Sequence, residues 1–168
     1  MLGTAGGPGV VRQRSEPASL LVVDGKPYLI DAGESVARQI VLAGFQVAQV
    51  RTIFITHHHI DHNAGLPALV SLDWFASSIS PKAGEPFEIY GPPATEYLVD
   101  LAQDYLSVSE RIFRAGIPHM RPSESMFVAH DIARDGLVYK DDKVKVTAVE
   151  NTHFSFKSEG EKSGQDRS

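Results

Sequence analysis

Cysteine is absent from the 168 residues. That excludes a disulfide framework and any thiolate metal site, and narrows soft-metal ligation to histidine and carboxylates. No apolar run is long enough to span a bilayer, and Met1 does not open the charged-then-apolar stretch of a secretory signal. No membrane partner is therefore expected. The compartment stays open between cytoplasm and export, since exported proteins without cysteine exist. Runs of Lys or Arg are also missing and the formal net charge is −5, so nothing general points to a nucleic-acid surface, although a small basic patch is compatible. Internal repeats and low-complexity blocks are lacking.

What is present is globular: 42% hydrophobic and 22% charged residues, at a length that suits one domain with a core. "SLLVVDGKPYLID" predicts two strands around an Asp24-Gly25 turn. "ESVARQIVLAGF" has apolar residues at helical spacing and closes at Gly44. "VRTIFIT" is apolar on both faces, as a buried central strand would be. "GLPALVSLDWFAS" predicts a helix with Pro67 in its first turn, and "FEIYGPP" a short strand. Two further helices are expected over 94–106 and 107–116, then a hairpin in "LVYKDDKVKVTAVE". The order predicts an α/β fold with a mixed sheet and flanking helices.

Four of the seven histidines fall in "IFITHHHIDHNAGLP", at the C-terminal end of the buried strand. Open α/β sheets place their sites at such ends. Residues two apart in an extended segment point the same way, so His57 and His59 can converge while His58 points away. A turn at Ile60 then brings Asp61 and His62 round from another side. This donor set suits Zn²⁺, less selectively Fe or Mn, and does not suit Ca²⁺ or Mg²⁺. One tetrahedral metal does not obviously use every group, whereas two metals ~3.5–4 Å apart would. "GTAGGPG" lacks the Gly-Lys-Ser/Thr of a phosphate loop, and fits a tight turn that lets backbone approach a substrate. His119 and His130 have no motif around them and are expected at the surface.

"THHHIDHNAGLP" resembles the H-x-H-x-D-H metal motif of the metallo-β-lactamase-fold hydrolases. "LGTAGGP", "YLIDAGE", "DHNAGLP" and "IYGPP" together resemble the ribonuclease Z and arylsulfatase-like branch, in that family's order and over most of the chain. The resemblance implies that His57 and His59 bind a first metal, joined by His153 of "VENTHFSF", and that Asp61 and His62 bind a second. Asp31 of "LIDAG" corresponds to an aspartate that stands behind the ligands and orients the loop, its alternative being a plain strand-end turn residue. His58 falls at a variable position. The implied chemistry is hydrolysis by a hydroxide that zinc generates near neutral pH, with Asp61 orienting or deprotonating the nucleophile. The substrate would be a phosphodiester, a sulfate or another ester. The acidic balance leans away from a tRNA partner, since that affinity rests on phosphate neutralisation.

Members of that family continue past the third histidine into a second lobe, which supplies a bridging aspartate and a last histidine. This sequence ends at Ser168 without either. Its glycine-rich start and polar end are either frayed termini or marks of a longer parent. The expectation is a single, incomplete domain over 1–168, the first lobe of the αβ/βα sandwich. A sheet face meant for the second lobe would then be exposed and prone to association, a homodimer included. The alternative function is an inactive metal-binding fragment lacking the second-lobe ligands.

Overall fold

The Asp24-Gly25 pair has φ 49° and 81°, the left-handed geometry that a two-residue hairpin turn demands. It joins β1 (Ser19–Val23) to β2 (Lys26–Ile30), antiparallel, with Val23 opposite Lys26. The structure is a computed structural model that describes residues 1–79 and 85–151. Beyond β2 the sheet is parallel: β3 (Thr52–Phe54), β4 (Phe87–Gly91) and β5 (Phe127–Asp131) follow in spatial order. Parallel neighbours need crossovers. These are helical here: α1 (Val36–Leu42) between β2 and β3, the single turn α2 (Ile60–Asn63) with α3 (Leu66–Ser78) between β3 and β4, and α4 (Thr95–Gly116) between β4 and β5. The α/β mixed sheet expected from the sequence is the one observed.

Strand alternation sorts the sheet's two faces. Leu29, Ile53 and Ile89 lie side by side across β2, β3 and β4, each wholly buried on the helix-covered face. Val36 and Ile40 of α1, Leu69, Val70 and Trp74 of α3, and Val99, Ala102 and Leu106 of α4 join them in one core. Each such aliphatic side chain contributes about 1.5–3 kcal/mol by leaving water. The opposite face presents Tyr28, Phe54 and Tyr90. The hairpin of β6 (Gly136–Lys140) and β7 (Lys145–Ala148) contacts it through Tyr139, whose ring centroid lies 6.3, 5.6 and 5.5 Å from those three. A cavity of about 400 Å³ separates hairpin from sheet, lined by Ile30, Phe54, Thr56, Val144 and Val146 among others. The face expected to be bare is thus partly roofed.

Asp141, in the β6–β7 turn, fixes that roof. It accepts from Tyr28 Oη at 2.6 Å, Lys26 Nζ at 2.8 Å, Tyr139 Oη at 2.9 Å, and the amides of Lys143 and Val144 at 2.8 Å each. Partial burial works against its charge, but the hydrogen bonds from Lys26, Tyr28 and the two amides outweigh it and hold the carboxyl well below the usual carboxylate range. The Tyr28 phenol is pushed up to about 12, by desolvation first and by its bond to Asp141 second.

Three local expectations differ from the structure. The helices expected over 94–106 and 107–116 are one, α4. Its buried stripe of Val99, Ala102, Leu106 and Glu110 runs through the junction without a break, and Ser107 Oγ donates back to Asp104 O at 2.7 Å instead of disrupting the helix. The turn at Ile60 is the single helical turn α2. Strand β5 had no counterpart in the sequence reading: only Phe127 and Ala129 face the core, between polar neighbours.

Two glycines let the site's loops touch. A Cβ on Gly65 would sit 2.3 Å from Gly33 O and 2.7 Å from Val36 Cγ1. Backbone bonds close that approach, Ala32 N to His62 O and Gly65 N to Ala32 O, both 2.7 Å. Gly65→Ala is expected to destabilise the fold by about 1–3 kcal/mol, read as a lowered denaturant midpoint. Asp141→Asn is expected to cost about 1–3 kcal/mol and to speed hydrogen exchange selectively in β6 and β7. Because the folded Asp141 carboxyl is depressed, its stabilisation is complete above about pH 4 and is lost as pH falls from there toward the folded value. The acid limb of the stability curve should therefore be shallower in Asp141→Asn than in the parent.

Candidate metal centre

Strand β3 ends at Phe54, and Ile55 N still donates to Tyr90 O at 2.7 Å. The chain then runs extended through Thr56 to His59, whose φ of −64° and ψ of 143° precede α2. The cluster therefore stands at the C-terminal ends of the parallel strands. His57 is buried, with its ring centroid 4.9 Å from His59 and 4.0 Å from His62. Asp61 is buried on α2, and its Oδ2 lies 3.6 Å from His62 Nε2. His58 leaves the cluster, as alternation requires. Its Nε2 lies 3.2 Å from both Pro92 O and Thr95 Oγ1, which ties the loop to the start of α4.

Asp31 closes the group from behind. Its backbone sits at φ 60°, a left-handed position that Asp tolerates better than most residues. Its carboxylate accepts from Thr56 N at 2.8 Å and Thr56 Oγ1 at 2.9 Å, and its Oδ2 lies 2.8 Å from His62 Nδ1. An ionised carboxylate only accepts, so the His62 ring proton belongs on Nδ1. Thr56 Oγ1 is also 3.0 Å from His57 Nδ1. With its one hydroxyl proton given to Asp31, Thr56 accepts from His57, which again places the ring proton on Nδ1. Both imidazoles are left with their lone pair on Nε2, the arrangement in which metal-binding histidines are held.

The structure thus gathers His57, His59, Asp61, His62 and Asp31 into one cluster. Among the described residues, no three His, Asp or Glu side chains close on a single point as ligands would. His153, the further histidine expected here, lies outside the described residues. The donors fit a divalent transition metal by their chemistry, three imidazoles and a carboxylate with two rings oriented through Nδ1.

Thr56 was not anticipated as part of the site. Its one sequence signal is its place at the strand end, immediately before the first histidine. Thr95 gave none, and Pro92 only its place in the "IYGPP" stretch. His119 is exposed, as expected. His130 is only half exposed: Nε2 lies 2.7 Å from Glu88 Oε2, and the ring stacks on Tyr90 at 4.3 Å.

A profile of the metallo-beta-lactamase superfamily matches residues 11–149. Ribonuclease Z of Pyrococcus abyssi is 42% identical over 93 residues, 54% of this chain and 28% of that protein. Ribonuclease Z of a Picosynechococcus species is 32% identical over 153 residues, 90% of this chain and 42% of that protein. Among solved structures, the short form of human tRNase Z aligns with a TM-score of 0.65 at 26% identity, covering 89% of this chain and 58% of the other. The chain spans less than half the length of these curated relatives. With the profile match running from the N-terminal loop through β7, and a histidine cluster at the end of β3, the chain belongs to the metallo-beta-lactamase superfamily.

Proposed function

We propose that the protein is a metal-dependent phosphodiester hydrolase acting on RNA. The observation that carries this reading is the common orientation of His57 and His62, one set by Asp31 directly and the other through Thr56. The names of the relatives, ribonuclease Z and tRNase Z, supply the substrate class. In this reading His57, His59 and His153 hold one metal and Asp61 and His62 a second, zinc being the best match to the donors and Fe or Mn the alternatives. When bound, such metals lower the pKa of water toward ~7 and neutralise charge on the attacked oxygens. Asp61 accepts the nucleophile's proton or hydrogen bond from its buried position on α2. Asp31 and Thr56 keep the imidazoles from rotating. Among the described residues no helix is long and apolar enough to cross a membrane.

An aryl sulfate or another ester would meet the same centre and is the competing substrate. A second reading, a metal-binding unit without turnover, is favoured by the number of donors: the described cluster brings together three imidazoles and one carboxylate, fewer than two metals need.

The purified chain is expected to bind zinc, measured by elemental analysis after removal of free metal, and to lose it in the His57→Ala/His59→Ala double variant. Zinc content unchanged in that variant sinks the metal assignment. Asp31→Asn, which offers His62 an amide donor instead of an acceptor, is expected to weaken zinc binding about 10–100-fold in competition with a chromogenic chelator. Hydrolysis should be faster on bis(p-nitrophenyl) phosphate than on p-nitrophenyl sulfate. Faster hydrolysis of the sulfate would refute the phosphodiester assignment, and zinc bound without turnover on either would select the second reading.

A further inference from the structure

His58 carries its ring proton on the opposite nitrogen from its neighbours. Thr95 Oγ1 donates its one proton to Pro92 O at 2.7 Å. Toward His58, both of these oxygens can therefore only accept. His58 Nε2 stands 3.2 Å from each, so the ring proton belongs there. Nδ1 is left to accept from Asn63 Nδ2 at 3.4 Å. His57 and His62 hold their proton on Nδ1 and keep Nε2 for a metal, whereas both nitrogens of His58 are engaged by protein groups. The middle histidine is not a spare ligand.

The acceptors of His58 are built into a fixed turn. Thr95 is wholly buried, and its hydroxyl packs so closely on Gly91 that an added Cβ there would meet Oγ1 at 2.4 Å. Ala94, just before it, holds a left-handed φ of 85°. That conformation costs about 1 kcal/mol or more at a non-glycine residue, and persists only where the surroundings enforce it. Asp131, at the end of β5, does so by accepting from the amides of Ala94 at 3.1 Å and Glu96 at 3.0 Å. Ile132 N donates to Gly91 O at 2.7 Å and closes the same turn from its other end. The anchor offered to His58 is thus held by two strands and a helix start.

In an extended segment, His58 points away from His57 and His59. A roll of that segment about its axis would carry both of them away from Asp61 and His62. Asp31 and Thr56 restrain the His57 ring from one side. His58 restrains the backbone between His57 and His59 from the other.

We propose that His58 is a positioning residue of the metal centre: its Nε2 proton, shared between Pro92 O and Thr95 Oγ1, locks the His57–His59 backbone to the β4–α4 turn and so sets metal affinity without touching the metal. This rests on the metal assignment above. In competition with a chromogenic chelator, the His58→Leu chain should bind zinc about tenfold more weakly than the parent. His58→Gln, whose amide nitrogen reaches where Nε2 does, should recover the affinity to within a few-fold. Thr95→Val leaves His58 itself intact and supplies the test in a second chain. It should weaken zinc binding in the parent, and should weaken it no further in the His58→Leu background, since both changes break one link. Thermal melting of the zinc-free variants should match that of the parent. Zinc held as tightly by His58→Leu or by Thr95→Val as by the parent overturns the proposal and leaves the metal assignment standing. A loss that His58→Gln does not relieve, or losses that add in the double variant, overturns it as well. A parent chain that binds no zinc overturns both.

Discussion

The Asp31 carboxylate is the contact on which the site's geometry depends. It lies at the end of β2, receives Thr56 just past the end of β3, and receives His62 from α2. Three segments distant in sequence are set by one side chain. The backbone prepares this: Asp31 N donates to Phe54 O at 2.8 Å, carrying the parallel β2–β3 register one residue past the ladder. The left-handed backbone at Asp31 then turns the chain toward α2. Such a conformation costs about 1 kcal/mol or more at a non-glycine residue, and bonds to an ionised acceptor offset it at about 1.5–3 kcal/mol each. Removal of the carboxylate therefore releases the strain and the ligand orientation together.

The far end of β3 is fixed by a different device. Arg51, just before the strand, donates to Asp73 of α3, which is fully buried and also accepts from Ser77 Oγ at 3.2 Å. Burial pushes the Asp73 carboxyl up, against the pull of the Arg51 charge. A buried pair of this kind adds little net stability, yet breaking one half of it is costly because it strands the other. Its value is positional. Helix α3 is docked at its start by Gly65 against Ala32, and at its middle by Arg51 beside the strand. Rotation of α3 about its axis, which would swing α2 and its Asp61 and His62, is opposed at two separated points.

Much of this frame was legible in the sequence, because its signals are local. Asp24-Gly25 specifies its own turn, Gly44 ends α1 at φ 87°, and Pro67 opens α3. The alternation that separates His58 from His57 and His59 follows from strand geometry alone. What could not be read depends on partners far along the chain. The continuity of α4 rests on a buried stripe whose burial is tertiary. Strand β5 exists because β4 pairs with it residue by residue from Phe87–Phe127 to Gly91–Asp131. Thr56 is an ordinary strand-end residue until its hydroxyl donates to Asp31. Asp31 itself was assigned by resemblance, with a plain strand-end turn residue as its alternative.

The sheet's second face connects these points to the hairpin. Ile30 and Phe54 precede Asp31 and Ile55, and with Thr56 they line the cavity beneath β6 and β7. Thr56 therefore has the cavity on one side and the Asp31 carboxylate on the other. Tyr139 seats the hairpin over Phe54 and Tyr90, toward the histidine end of the strands, and Asp141 anchors its turn to Lys26 and Tyr28 toward the other end. The cavity between the two layers reaches Thr56. The His57 ring is held through the Thr56 hydroxyl, whereas His62 is held by Asp31 without an intermediary. The two histidines thus differ in what touches them, although a single carboxylate orients both.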